Sequence, residues 1–346
     1  MTLNIDMRLK RTLKMSVRKF VAGIALSLGL TMIAAAGAIA DMPKGDGGTL
    51  RLLVNSSGTQ SFPPFVIKKL ALDKKYGFVL ETVPTTTTQT SRTAIQGGSA
   101  DVGLFGWTDI ARMRGAGIDV VGIAPFLTWA NTVVIPIDSP AKTLADLKGK
   151  KVGVFTKTGL DWIVMRAAGV KAYKIDLEKE AQISEGAVPL LRGLIEQGQL
   201  DATQMFNDLT PAMLASGKFK LLGKIRGYIE TLGLPDTPFL IYTVDSKYAA
   251  AKPQNVKAYL AAYQEAMHIL QTDEAPWLER AGELKMMEEA VVKTLIKETR
   301  PVLMSKFTEH TEADIKKTFA MLLELAGAEV LGLNDIGSGF LTTKYQ

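Results

Sequence analysis

The sequence predicts an α/β protein of two similar lobes, and two observations carry that prediction. One stretch occurs twice. Residues 95–110 read IQGGSADVGLFGWTDI and residues 195–210 read IEQGQLDATQMFNDLT, with Gly98 matching Gly198 and Asp101 matching Asp201 at an offset of one hundred residues. A glycine closing a periodic apolar run stops a helix, and the apolar run from Val102 to Phe105 reads as a short buried strand. Apolar strands, polar loops and helices also alternate along the first half of the chain, the grammar of a parallel sheet. The match is sparse, and chance similarity between two αβ units of one domain is the alternative. Open parallel sheets bind ligands beyond the carboxyl ends of their strands. The two-lobe reading therefore sets Phe105–Thr108 and Met205–Asn207 facing each other across a cleft.

In chain order, residues 1–40 read as a signal peptide. Arg8, Lys10, Arg11, Lys14, Arg18 and Lys19 precede an apolar stretch from Phe20 to Ala38, and Ala38-Ile-Ala40 before Asp41 fits a small-x-small cleavage site. A membrane anchor is the alternative, and Met15 is an alternative start. The whole chain is formally +6. Without the leader, 35 basic and 34 acidic residues remain, so the basic balance says nothing about nucleic acid and no nucleic-acid partner is expected. The remaining 306 or so residues suffice for two domains.

Thr49–Asn55 is the first strand, followed by a polar loop from Ser56 into a helix ending near Ala71. Phe78–Val83 is the second strand. The threonine run Thr85–Thr88 leads into a helix from about Thr90 to Gly97. Its hydroxyls fit either a solvated helix cap or a polar cluster for an anionic head group. Val120–Pro125 is a strand, and Phe126–Pro136 an extended run. A short helix ends at Gly149, a strand ends at Phe155, and Thr156–Gly159 opens the helix Leu160–Ala168. The Walker spacing is absent there. Beyond Pro253 the spacing of apolar residues predicts helices over 253–271, 276–297 and 311–326, then an irregular tail from Gly332.

The chain has no cysteine and two histidines, His268 and His310. Disulfides and thiolate metal sites are excluded, and a His-based metal site or hydrolytic triad has little to work with. No metal, no cofactor and no catalytic residue is expected. The candidate ligand-binding residues lie in the strand-end loops. They are Ser56, Ser57, Gln60, Thr86, Thr87, Gln89, Trp107 and Thr108 in the first lobe, and Thr156, Thr158, Gly159, Gly186, Phe206 and Asn207 in the second. Trp107 and Phe206 would flank an organic tail or flat ring. Arg92, Lys157, Arg166 and Arg192 would pair with an acidic ligand or stay solvated.

The run TLADLKGKKVGV at 143–154, with Gly98-x-x-Asp101-Val-Gly103 and Leu200-Asp-Ala202, resembles the ABC-transporter substrate-binding proteins of the nitrate/sulfonate/taurine class. The resemblance implies a two-lobe (type II) periplasmic binding protein fold, with Rossmann-like lobes joined by two crossovers near 128–136 and 234–243. It implies lobe 1 over 48–135 plus 237–346, lobe 2 over 136–236, and C-terminal helices packed on lobe 1. The function it implies is capture of a small organic anion, sulfonate-like in the leading case, by a periplasmic monomer. That monomer would deliver it to an inner-membrane ABC permease with its cytoplasmic ATPase. Phe105-Gly-Trp-Thr108 departs from the serine-rich turn expected of a sulfonate binder. A thiamine-precursor pyrimidine, an aromatic carboxylate, a same-fold secreted enzyme and a sensor partner are the alternatives.

Overall fold

The computed structural model describes residues 42–55, 58–85, 87–284 and 288–346. Residues 1–40, Ser56, Ser57 and Thr86, named above, lie outside the described residues. Lys44–Gln346 form one compact unit.

Among the described residues, ten strands form two five-stranded sheets. They are β1 Thr49–Asn55, β2 Val79–Thr85, β3 Val102–Gly106, β4 Val120–Leu127, β5 Thr132–Pro136, β6 Lys151–Val154, β7 Gln182–Glu185, β8 Ala202–Met205, β9 Phe219–Lys224 and β10 Leu240–Asp245. The first sheet runs β2-β1-β3-β10-β4 and the second β7-β6-β8-β5-β9, the same order built from equivalent strands. The expected parallel grammar holds for only part of each sheet. β10 is antiparallel to both β3 and β4, and β5 to both β8 and β9. Each exchanged strand enters from the other lobe, so no βαβ crossover fixes its direction.

The repeat has a shared geometry. Gly98 and Gly198 both adopt left-handed backbone, φ 67° and 71°, which glycine reaches without a Cβ clash. Asp101 N donates to Arg51 O and Asp201 N to Lys151 O, both at 2.9 Å. In return Arg51 N donates to the Asp101 carboxylate at 2.7 Å, and Lys151 N to that of Asp201 at 2.8 Å. Each aspartate thus clamps the start of the strand fifty residues earlier.

The crossovers are shorter than the sequence suggests, because Thr132–Pro136 and Leu240–Thr243 already belong to strands. The two passages lie side by side. Phe239 N donates to Leu127 O at 2.9 Å, the Thr128 hydroxyl to Thr237 O at 2.9 Å, and Trp129 Nε1 to Thr237 Oγ1 at 3.2 Å.

The C-terminal region departs twice from expectation. Instead of one helix over 276–297 there are two, Ala275–Glu283 and Glu289–Thr299. The helices also do not pack on the first sheet alone. Pro253–Thr272 packs on Phe62–Lys69, but Glu289–Thr299 packs on Thr210–Ala215 and Thr311–Ala326 on Leu160–Ala168. The tail pairs Leu341 with Gly122 of β4, with Gly122 N donating to Phe340 O at 2.8 Å. A Cβ on Gly122 would meet Leu341 Cδ2 at 2.7 Å and Ile241 Cγ2 at 2.8 Å, so a larger residue there would push both side chains aside. Among the described residues no helix is long and apolar enough to cross a membrane.

Candidate ligand-binding cleft

The carboxyl ends of β1, β3, β6 and β8 and the paired crossovers surround two adjoining cavities. The larger, about 660 Å³, is lined by Thr108, Thr156, Thr158, Gly159, Asp161 and Gln204 among others. The smaller, about 470 Å³, is lined by Thr59, Gln60, Pro189, Asn207 and Asp208 among others. Asn131, Phe155, Phe206, Phe239 and Leu240 line both. A third groove, of about 400 Å³ between Pro136 and Asp201, lies at the amino ends of β6 and β8, the wrong end for a site of this architecture.

The second sheet contributes the aromatic wall. β6 ends into Phe155, which is 46% exposed although large and apolar. Its ring meets Phe206, at the end of β8, at 5.2 Å and 64°. Phe155 closes the apolar run KVGVF, and that position was the signal that could have found it. Beyond it, the hydroxyls of Thr156 and Thr158 lie 3.1 Å apart. Gly159 caps the helix Leu160–Ala168, where a Cβ would meet Thr156 Cγ2 at 2.9 Å. The first amides of this helix form its positive dipole end, which favours an anion.

Several expected residues sit elsewhere. Trp107 is fully buried, edge-on to Phe319 at 6.2 Å, and is core rather than cleft wall. As the first residue of the helix Trp107–Gly115 it turns inward, and its neighbour Thr108 takes the wall. Thr87 and Gln89 are exposed and outside both linings. The Thr87 hydroxyl accepts Thr90 N at 3.1 Å in a capping box and so serves its helix, while Thr88 of the same run lines the cavity together with Arg92. Gly186 is likewise outside the linings, which begin at Ala187. Lys157 is tied to Glu178 at 2.8 Å.

A hydrogen-bonded chain crosses the cleft. Asn207 Nδ2 donates to Thr59 Oγ1 at 3.3 Å, Asn207 N to Asn131 Oδ1 at 3.2 Å, and Asn131 Nδ2 to Asp161 Oδ2 at 2.7 Å. Asp161 is half-buried, and desolvation pushes its carboxyl up to about 6 against the opposing bond from Asn131. Burial also raises Asp208. The guanidiniums of this site are already engaged. Arg92 pairs with Asp109, and Arg112 donates to Leu331 O at 2.6 Å while approaching Asp109 at 3.4 Å. Asn131, Asp161 and Asp208 carried no sequence signal, since their meeting depends on contacts distant in the chain.

The sequence profile of the family described as NMT1/THI5 like matches residues 73–274. A putative aliphatic sulfonates-binding protein of Escherichia coli (strain K12) is 29% identical over 133 residues, which are 37% of this chain and 40% of that relative. The chain thus aligns with well under half of that protein's length. Solved structures that share the fold include two binding proteins. The periplasmic aliphatic sulphonate binding protein SsuA from Escherichia coli superposes with a TM-score of 0.67 at 21% identity, over 80% of this chain and 92% of that one. The alkanesulfonate-binding protein SsuA from Xanthomonas axonopodis pv. citri, bound to MOPS, does so at 0.62 and 20%, over 83% and 96%. At these identities the likeness is one of architecture: two lobes, each a mixed sheet flanked by helices.

Proposed function

The chain belongs to the NMT1/THI5-like family, and from that premise we propose that it is a non-catalytic periplasmic solute-binding protein. It captures a small organic molecule with an acidic head group between its lobes and hands it to an ABC permease. The observation that carries this reading is the pair of adjoining cavities at the strand ends. Their combined size suits a small organic ligand, and their wall is contributed by both sheets and both crossovers. The sulfonate-binding relatives, one aligned over part of its length and the others alike in fold, support the solute class. The threonine pair and the amino end of the helix Leu160–Ala168 suit the acidic head group, and Phe155 with Phe206 suits a hydrocarbon or flat body. Lobe 1, in this reading, is 48–135 with 237–346, and lobe 2 is 136–236.

A thermal-shift screen against alkanesulfonates, nitrate, aromatic carboxylates and pyrimidines tests it. A ligand at one hundred times its Kd adds about 2.7 kcal/mol, a rise of several degrees for a chain of this size. A saturable rise with one class is expected. No rise with any class would overturn the reading.

A further inference from the structure

The helix Thr311–Ala326 touches elements of both sheets, and its two ends do so differently. Its first turns are rooted beside the first sheet. The Glu312 carboxylate accepts Gly339 N at 2.9 Å and Leu341 N at 3.4 Å, and Lys316 Nζ donates to Ser338 Oγ at 2.8 Å. That stretch of tail is the one laid along β4. In mid-helix, Phe319 meets Trp107 edge-on, and Ile315, Thr318, Phe319 and Leu322 are all buried.

The last turn rests on the second sheet's side. Leu325 and Ala326 line a cavity of about 60 Å³ together with Ile163, Arg166 and Ala167 of the helix Leu160–Ala168 and with Val170 just beyond it. Close-packed interiors leave few such gaps, and the side chains that line one lose dispersion contact on that side. Leu325 is 39% exposed and Val170 47%. The polar contact at this end is a soft one, Lys171 Nζ to Met321 Sδ at 3.9 Å. One end of the helix is thus clamped, and the other rests on an underfilled, half-open contact. Packed helices slide at contacts of that kind.

The placement gives the contact a use. The amino end of Leu160–Ala168 bounds the larger cavity through Gly159, Leu160 and Asp161, and its carboxyl half carries the contact. Beyond Ala326 the chain turns at Gly327, φ 82°, walls the same cavity from Glu329 to Gly332, and returns to β4. We propose that Thr311–Ala326 is a strut between the lobes, clamped to the first and propping the second through Leu160–Ala168, which sets how far the cleft stands open without solute. It connects the lobes by packing rather than through the crossovers. Opening and closing slide its last turn past Val170 while its first turns stay fixed. The assignment rests on the two-lobe part of the solute-binding reading and is independent of the solute's class.

Spin-label distances in the solute-free protein test it. The chain has no cysteine, so two introduced ones are the sole labelling points. They are Lys74→Cys, exposed on Leu72–Lys75 beside β2, and Lys179→Cys, exposed on Leu177–Glu180 beside β7. With the strut intact, a single narrow distance distribution is expected. Leu325→Asp and Val170→Asp break the contact from opposite sides, and each is expected to broaden the distribution or add a second distance. Both side chains are already part-exposed, so each variant is expected to melt within about 4 °C of its parent. Leu70→Asp, at an exposed apolar residue outside the contact, is expected to leave the distribution unchanged. A broad distribution in the parent, an unchanged one in both contact variants, or equal broadening by Leu70→Asp overturns the strut and leaves solute binding standing.

Discussion

Asp161 ties local chemistry to stability. Its carboxyl is raised to about 6 in the fold, against an ordinary value of 3.8. The folded state therefore binds more protons than the unfolded state between those values, and stability falls as pH rises through that window. The penalty is absent below about pH 4 and complete above about pH 6. At 1.36 kcal/mol per unit of pKa it reaches at most about 3 kcal/mol, less for solvent contact. Asp161→Asn should flatten that part of the melting-temperature profile; an unchanged profile would remove the assigned cause. Two aromatic variants should separate core from cleft. Trp107→Ala should cost about 3–5 kcal/mol, read by denaturant unfolding, because it opens a large cavity. Phe155→Ala should change stability by under about 1 kcal/mol, as expected of a half-exposed ring, yet weaken ligand binding severalfold. The reverse pattern would exchange their roles.

At the scale of elements, the repeated aspartates hold equivalent strands by unequal means. Asp101 is buried and takes Arg51 N together with the Arg51 guanidinium, while the Asp201 carboxylate accepts only Lys151 N among the bonds seen, in a more open setting. Asp101→Ala should therefore cost about 1–3 kcal/mol, since it unpairs the Arg51 amide and takes two bonds from a guanidinium that keeps Gly98 O and solvent contact. Asp201→Ala should cost about 1 kcal/mol. Chemical denaturation of the two variants checks the ranking, and equal losses would refute it. Most elements were legible in the sequence. The strand Thr49–Asn55 and the helix Leu160–Ala168 lie where turn residues and periodicity put them. The split of the 276–297 helix was not legible, because the apolar spacing continues across it.

For the whole molecule, the C-terminal helices reach beyond the first sheet. Lys224 at the end of β9 pairs with Glu298 at 2.5 Å, and the helix Glu289–Thr299 lies on Thr210–Ala215. Asn207, reaching Thr59, joins the strand-end loops of the two sheets across the cleft. Closure in such folds is a hinge motion absorbed by a few connecting residues. A bound ligand should lower the radius of gyration measured by small-angle scattering, and Asn207→Ala should weaken that response. An identical scattering curve with saturating ligand would rule out closure.

The sequence by itself determined the alternation of strands and helices, the hundred-residue repeat and the loops at the strand ends, since local propensity, glycine stops and apolar periodicity write these into neighbouring residues. Tertiary structure decided the rest. It set β5 and β10 antiparallel into the opposite sheets, turned Trp107 into the core and Phe155 outward, and brought Asn131 onto Asp161. Each of those outcomes depends on which distant segment packs against a residue, and pairing between segments tens of residues apart leaves no periodic trace along the chain.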